Sequence, residues 1–399
     1  MRSKTESTPV TAQNLRFQLH EPEPRANVLI STFVHDVTAL TVAAALQSIG
    51  CNAVRWIQPD FTSRQSLSYQ ISDRTAPALS ADGPGIAECD FTFDTVWLRR
   101  SSPPVVSAEV VHADDLAFAY SEATIFLQNF QALLDPRTMV INRREARMRA
   151  DNKLLQLQIA REVGLRIPAT LVGNDPRKIK QFIAHHKAGV IYKPHSGKNW
   201  TEEGKSFALY TAQVTLADLP SDDLLRAVPG IYQANVPKAC EVRSTFFGSA
   251  HLSASIVAAE HKAGIDDWRI LGSQHQKAAW SAHALPKGIA TRVKRLMDRL
   301  GIVFGSADFI VTPEGEHVFL EINEQGQFLW LEECVPELPM LDTFCRFIVE
   351  GDGFQGRKRK WPKLLPDLSL FKGRNLREVI DEDVAAHVVD DRAGYIRMG

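Results

Sequence analysis

Between residues 305 and 330 the chain reads GSADFIVTPEGEHVFLEINEQGQFLW. Ala307, Phe309 and Val311 recur at every second position of one run, and Val318, Leu320 and Ile322 do so in the next. Thr312-Pro313-Glu314-Gly315 between them supplies turn residues, so the stretch predicts a β-hairpin. A two-residue loop at Pro313-Glu314 places Phe309 beside Val318, and the two apolar sets then share one face. Asp308, Glu321 and Asn323 fall on the other face, because strand side chains alternate with period two. Two carboxylates and an amide on one face are hard oxygen ligands suited to Mg²⁺. Taken alone, the same pattern also describes a half-exposed hairpin with solvated acids.

The rest of the chain narrows the context. Its 399 residues suggest two or three domains, and 44% hydrophobic content is enough for a sizeable core. A formal net charge of −1 gives no general case for binding nucleic acid or an anionic membrane. Cys51, Cys89, Cys240, Cys334 and Cys345 are scattered without a CxxC pair, which argues against a disulfide scaffold or a zinc knuckle and fits a reducing cytoplasm. No signal peptide and no run of about 18 apolar residues is visible.

Residues 1 to 25 are polar and Pro-rich and read as a flexible arm. NVLISTF (27–33) is a continuous apolar strand. A helix over 38–49 follows, with Asp36 or Thr38 as cap and Gly50 as stop, and a second strand lies at Asn52 to Ile57. This βαβ opening predicts an α/β unit with a parallel sheet, although a GxGxxG turn is missing. DTVWL (94–98) is another strand, and Arg99-Arg100 at its end either holds an anion or lies in a solvated loop. A helix follows over 112–134. The character changes near 142, where NRREARMRA leads into a helix bearing Leu155, Ile159 and Val163 on one face, with Lys153 near its start and Gly164 at its end. A helix over 176–187 precedes the strand GVIYK, which ends at Lys193 before the small-residue loop His195 to Lys198. That arrangement suits phosphate, although a lone strand lysine is commonly just a surface residue and no Walker A motif supports it. Phe207–Leu209 and Leu216–Leu219 flank a strand and a short helix. Gly230 to Val236 is a strand, and Glu241, Arg243 and Thr245 share a face of the next. Leu252 to Ala259 pairs with that strand through a Gly248-Ser249 turn, and a helix over 286–300 is closed by Gly301. Beyond 351 the basic GRKRK cluster at 356–360 marks a tail with a solvated or partner-binding face.

Together these segments resemble an ATP-grasp ligase, over about 142–349 and more faintly in the N-terminal part. ADFIVTPEGEHVFLEINEQGQFLW resembles the metal-binding segment of the graspetide (microviridin-type) ligases, which modify ribosomally made peptides. ADNKLLQLQIAREVGLRIPAT resembles their first-lysine helix and VIYKP their second-lysine strand. VWLRR resembles a Trp-x-Arg-Arg element of their N-terminal domain, with Leu98 where Tyr is commoner. The resemblance implies an ATP-grasp α/β (α+β) fold behind a Rossmann-like pre-ATP-grasp domain. It divides the chain into an arm (1–25), an N-terminal domain (26–141), a central subdomain (142–235), a C-terminal subdomain (236–350) and a tail (351–399).

The same resemblance implies roles. Lys153 and Lys193 match the lysines on the nucleotide phosphates. Gln233, Ala234 and Val236 lie in the segment that receives adenine, where family members often carry a Glu near Gln233. Glu241 and Arg243 match a hydrophilic-x-Arg strand, which makes Arg243, with Lys193, the catalytic cation. Asp308, Glu321 and Asn323 match the magnesium ligands, with Asn323 also near the nucleotide. The implied cofactors are ATP and Mg²⁺, the implied substrate is a precursor peptide with a leader, and homodimers are common in the resembled group. The implied chemistry is carboxylate activation as an acyl phosphate, followed by capture with an amine or hydroxyl to give an amide or ester. His195, His251 and His261 are then bystanders or substrate contacts. Two other readings use the same residues: a ligase acting on free amino acids or a protein terminus, and a nucleotide-binding module without chemistry.

Overall fold

The computed structural model describes residues 25–86, 92–100, 102–195, 200–202, 205–207, 212–257, 280–356, 361–364 and 374–389. The arm up to residue 24, His261, the end of the loop at Lys198 and most of the basic cluster lie outside these residues.

The first apolar run forms β1 (Asn27–Thr32), followed by α1 (Val37–Ser48) and β2 (Asn52–Ile57). Of the two candidate caps, Asp36 is the one used: its carboxylate accepts from the Ala39 N–H at 3.2 Å. A hairpin of β3 (Ser66–Gln70) and β4 (Ala78–Asp82) precedes β5 (Thr95–Leu98), α2 (Leu116–Ala132) and β6 (Met139–Ile141). The helix expected from 112 starts as a 3₁₀ turn and becomes α-helical at Leu116. The strands form a parallel sheet in the order β2-β1-β5-β6. Its strand order reverses between β1 and β5, the place where open α/β sheets leave a crevice.

Two helices follow, α3 (Arg144–Ala150) and α4 (Lys153–Glu162). Then come β7 (Thr170–Gly173), α5 (Pro176–His185), β8 (Val190–Lys193), the short hairpin β9 (Trp200–Glu202) and β10 (Lys205–Phe207), β11 (Ala212–Val214), α6 (Asp222–Ala227) and β12 (Gly230–Ala234). The short helix lies a few residues later than 216–219, where Ser221 can cap it. An antiparallel sheet β11-β8-β12-β7 results. Val190 and Tyr232 on one face pack with Ile179, Phe182 and Ile183 of α5, which leaves the other face to Ile191, Lys193 and Gln233.

The last sheet contains β13 (Cys240–Phe247), β14 (Ala250–Ile256) and β15 (Trp280–Ala282), then, after α7 (Lys287–Leu300), β16 (Phe304–Val311) and β17 (His317–Asn323). Its order is β15-β14-β13-β16-β17, all antiparallel, with β17 at the edge. Ile159 and Ala160 of α4 and Leu296 and Leu300 of α7 pack under it against Phe309 and Phe319. Two helices the sequence reading did not assign, α8 (Leu329–Cys334) and α9 (Met340–Glu350), tie this sheet to the parallel one. Phe344 of α9 contacts Trp97 of β5 at 4.7 Å between centroids and Phe247 of β13 at 5.8 Å. A final helix, α10 (Leu376–Ala386), docks on the N-terminal unit: the Val388 N–H donates to buried Asp60 at 2.6 Å, and Arg64 donates to the Ala386 carbonyl at 2.7 Å. No helix among the described residues is long and apolar enough to cross a membrane.

Candidate functional site

The hairpin differs from its expected register in two respects. Its loop has three residues, because Val311 pairs with His317 and Thr312 N–H donates to the Glu316 carbonyl at 3.0 Å. Gly315, in the left-handed region at φ +83°, closes a loop of the kind that requires glycine there. Phe309 therefore faces Phe319, and Val318 pairs with Ile310. The register then shifts: Asp308 pairs with Glu321, leaving Leu320 as the extra residue of a bulge. Of the expected core set, Val318 and Ile322 are buried but Leu320 is only half-buried, and the three do not share one face. Phe319 and Ile322 join Ala307, Phe309 and Val311 in the core, whereas Leu320 lines a recess on the opposite face. Strict alternation beginning from buried Phe319 would send Glu321 into the core. The inserted residue returns it to the open face beside Asp308.

That face carries the other polar candidates. Arg243 pairs with Asp308 across β13 and β16, and its Nη1 donates to both carboxylate oxygens at 3.2 and 3.3 Å. Glu241 and Thr245 flank Arg243 on the same face, as expected. Glu241 accepts from Lys238 Nζ at 2.8 Å, and Thr245 shares a 3.0 Å contact with Ser306. Lys153, the first residue of α4, brings Nζ to 3.2 Å from Glu321 Oε2, with Asn152 capping the helix beneath it. Asn323 pairs with Ser306, and its Oδ1 accepts from the Gln325 N–H at 3.0 Å.

Beside this group a recess opens between the last two sheets, lined by Pro168, Ile191, Gln233 to Val236, Lys238, Ile310 and Leu320. Gln233 is buried. Its Nε2 donates to Thr170 at 3.1 Å, and its Oε1 has no hydrogen-bond partner. An orphaned acceptor at an apolar wall fits a flat ring bearing an amino donor. Lys193 is not a lining residue. It follows Ile191 by two positions on the same strand face, and the chain beyond it brings His195 to a second recess with Met148, Asn152 and Lys153. The sequence reading missed Lys238, Ile310 and Leu320. Lys238 was legible as a cation three residues before Glu241, but the roles of Ile310 and Leu320 depend on the bulge.

The two arginines differ: Arg100 is exposed in the loop, whereas Arg99 is not solvated. Arg99 is 1% exposed, lies over Trp97, and donates from Nε to Asp36 at 2.8 Å, joining β5 to the α1 cap. Burial holds its pKa below the ordinary value, partly offset by Asp36. The Arg100 N–H donates to Gln325 Oε1 at 3.3 Å, in the loop after Asn323. Next to Asn323, buried Glu324 has a pKa pushed up to about 6 by desolvation and by Asp151, with Arg147 opposing at 3.5 Å. His251 rests on Phe246, and burial depresses its pKa.

Among the described residues, no cluster of three or more His, Cys, Asp and Glu side chains could hold a metal. The set present is two carboxylates and an amide. That suits Mg²⁺, which is bound through one or two carboxylates together with waters and phosphates and does not require a full protein cage. Cationic Lys153 and Arg243 beside it favour a polyanion.

No protein-family model and no curated protein matches the chain. Solved structures do. A RiPP-associated ATP-grasp ligase from Chryseobacterium gregarium, in complex with ADP and a leader and core peptide, has a TM-score of 0.76 and 26% identity, covering 85% of this chain and 99% of that one. Macrocyclase MdnC from Microcystis aeruginosa, bound with precursor peptide MdnA, gives 0.67 and 27%, covering 81% and 99%. Macrocyclase MdnB from the same organism gives 0.64 and 27%, covering 82% and 99%. The chain thus has the ATP-grasp ligase fold and is similar, over nearly their whole length, to RiPP-associated ATP-grasp ligases.

Proposed function

We propose that this chain is an ATP-dependent, ADP-forming ligase that cross-links side chains in a ribosomally made precursor peptide. The observation that carries the reading is the face where Asp308 and Glu321 meet Lys153 and Arg243. It adjoins the recess at Gln233 in a fold shared with a RiPP-associated ATP-grasp ligase in complex with ADP and a leader and core peptide, and with a macrocyclase bound with a precursor peptide. A substrate carboxylate attacks the γ-phosphorus of ATP, ADP leaves, and an acyl phosphate results. An amine or hydroxyl of the peptide then attacks the acyl carbon, loses its proton and expels phosphate, giving an amide or ester.

In this reading the protein positions two anions and offsets their charge, so it needs no nucleophile of its own. Gln233 and the Ala234 to Val236 segment hold adenine. Lys153 and Lys193 neutralise phosphate oxygens, and Arg243 offsets charge developing at the transferring group. Asp308, Glu321 and Asn323 would hold Mg²⁺, which supplies Lewis-acid charge neutralisation at the phosphates. Glu241 orders Lys238 at the recess mouth. The proposed organisation divides near 142 and 236, which puts the nucleotide between the central and C-terminal subdomains. The free thiols of Cys240, Cys334 and Cys345 are in keeping with a reducing cytoplasmic setting.

The test is co-expression with a short acidic, Thr- and Lys-containing peptide encoded beside this gene, followed by mass spectrometry. Loss of one water per bond, with ADP release from the purified pair, is the expected result. ADP release with free amino acids and no dehydrated peptide would replace the reading with a small-molecule ligase.

A further inference from the structure

β17 is the edge strand of its sheet, so every second backbone N–H and C=O points away from β16. At two places the outward groups are taken up. The Phe319 N–H donates to the Arg166 carbonyl at 2.8 Å, just beyond α4. At Ile322 both groups bond one side chain: Gln156 Oε1 accepts from the Ile322 N–H at 2.8 Å, and Gln156 Nε2 donates to the Ile322 carbonyl at 2.9 Å. The amide of Gln156 thus stands where a neighbouring strand's peptide group would. Its Nε2 also bonds the Ala150 carbonyl, and the side chain is only 4% exposed.

The two anchors bracket Leu320 and Glu321, the bulge that turns Glu321 to the open face. Ile322 itself lies between Glu321 and Asn323. Lys153 is one helical turn before Gln156, so one face of α4 supplies both the cation on Glu321 and the amide that fixes the strand. Asn142 buttresses the same end: its Nδ2 donates to the Glu324 and Phe304 carbonyls at 3.0 and 2.8 Å, and its Oδ1 accepts from the Val303 N–H at 2.7 Å.

We propose that Gln156 is a positioning residue for the divalent-ion ligands: by bonding both backbone groups of Ile322, it fixes Glu321 and Asn323 relative to Lys153. The proposal rests on the metal role given to those residues above. Groups that orient metal ligands matter for affinity because a ligand free to wander must be ordered at each binding event.

The test is a Mn²⁺ titration followed by electron paramagnetic resonance, with a non-hydrolysable ATP analogue and the full chain. Gln156→Met keeps the side chain's length and removes both bonds to Ile322, together with the one to Ala150. Its Mn²⁺ dissociation constant is expected to rise about 10- to 100-fold, while KM for ATP at saturating metal moves less than about threefold. A purely structural role would lower the unfolding temperature and leave Mn²⁺ affinity of the folded molecules unchanged, and that result overturns the proposal. If Gln156→Met does not fold, Gln156→Asn, whose amide stands one methylene short of the strand, carries the same comparison. Wild-type protein that binds no Mn²⁺, or Glu321→Gln that binds it as tightly as wild type, would remove the metal reading itself. Failure at Gln156 alone leaves that reading standing.

Discussion

Two of the antiparallel hairpins, β3–β4 and β16–β17, resolve the same geometric problem differently. In β3–β4 the pairing runs without a shift from Ser66–Asp82 to Gln70–Ala78, and burial alternates strictly, with Leu67, Tyr69, Leu79 and Ala81 turned inward and the serines outward. In β16–β17 the pairing shifts between Asp308 and Phe309, and burial follows no simple period. The regular hairpin gives each face one kind of residue. The bulged hairpin places Leu320 and Glu321, adjacent in sequence, on the same face. The cause is packing below it: Phe319 and Ile322 are 0% and 2% exposed, and burying each side chain contributes about 1.5–3 kcal/mol. A regular register that kept Phe319 inside would bury the charge of Glu321, which costs more than the bulge. The irregularity thus both satisfies the core and assembles the polar face.

Substitutions can break this contrast. The largest effect is expected at the open face of the bulged hairpin. Asp308→Asn and Glu321→Gln should each cut ADP release to below about a hundredth, with an unchanged circular dichroism spectrum, whereas Ser68→Ala in the regular hairpin should leave turnover intact. Wild-type rates in either acid variant would remove the metal assignment. Next comes stability: Phe319→Ala should cost about 3–5 kcal/mol in urea unfolding. Leu79→Ala, half-buried in the regular hairpin, should cost less than about 2 kcal/mol. Equal losses would show that the two hairpins are packed alike. Across the recess from Leu320, Gln233→Leu should raise KM for ATP about tenfold through loss of one buried hydrogen bond, with little change in the rate at saturation.

An effect read through pH lies just past the bulged hairpin, at Glu332. Its carboxylate accepts from the Leu341 N–H at 2.8 Å, and burial raises its pKa from 4.5 to about 7. Folded protein therefore holds this proton across a window in which unfolded protein releases it, and stability declines as pH rises from 4.5 to 7. Glu332→Gln should flatten that segment of the thermal-unfolding profile and be the more stable form above pH 7. A profile identical to wild type would place Glu332 in a less desolvated setting than its burial indicates.

Much of the architecture could be read residue by residue. The apolar run at 27–33, a cap at Asp36 or Thr38, the stop at Gly301 and the common face of Glu241 and Arg243 follow from local propensity and period-two alternation. Asp308, Glu321 and Asn323 do share a face, but the reason differs from the expected one. The two-residue loop and the alternating Val318, Leu320 and Ile322 set would have required a regular hairpin, and only contact with α4 and α7 selects Phe319 and Ile322 for the core. Arg99 was legible as a cation at a strand end. That it would be buried against Asp36 was not, because the partner is 63 residues away. Nor could the sequence show α9 joining two sheets through Phe344.

By itself, the sequence determined the elements and the chemistry available to them: a βαβ opening, a lysine at a helix start, and acids and an amide confined to one hairpin. These depend on neighbours in the chain, which the sequence displays directly. The tertiary structure alone decided the register of β17, the anchoring of its edge by Gln156 and the recess shared by Gln233 and Leu320. Each of these is set by which side chains compete for the same buried volume, and those side chains include ones from distant segments, such as Gln156, 166 residues before Ile322.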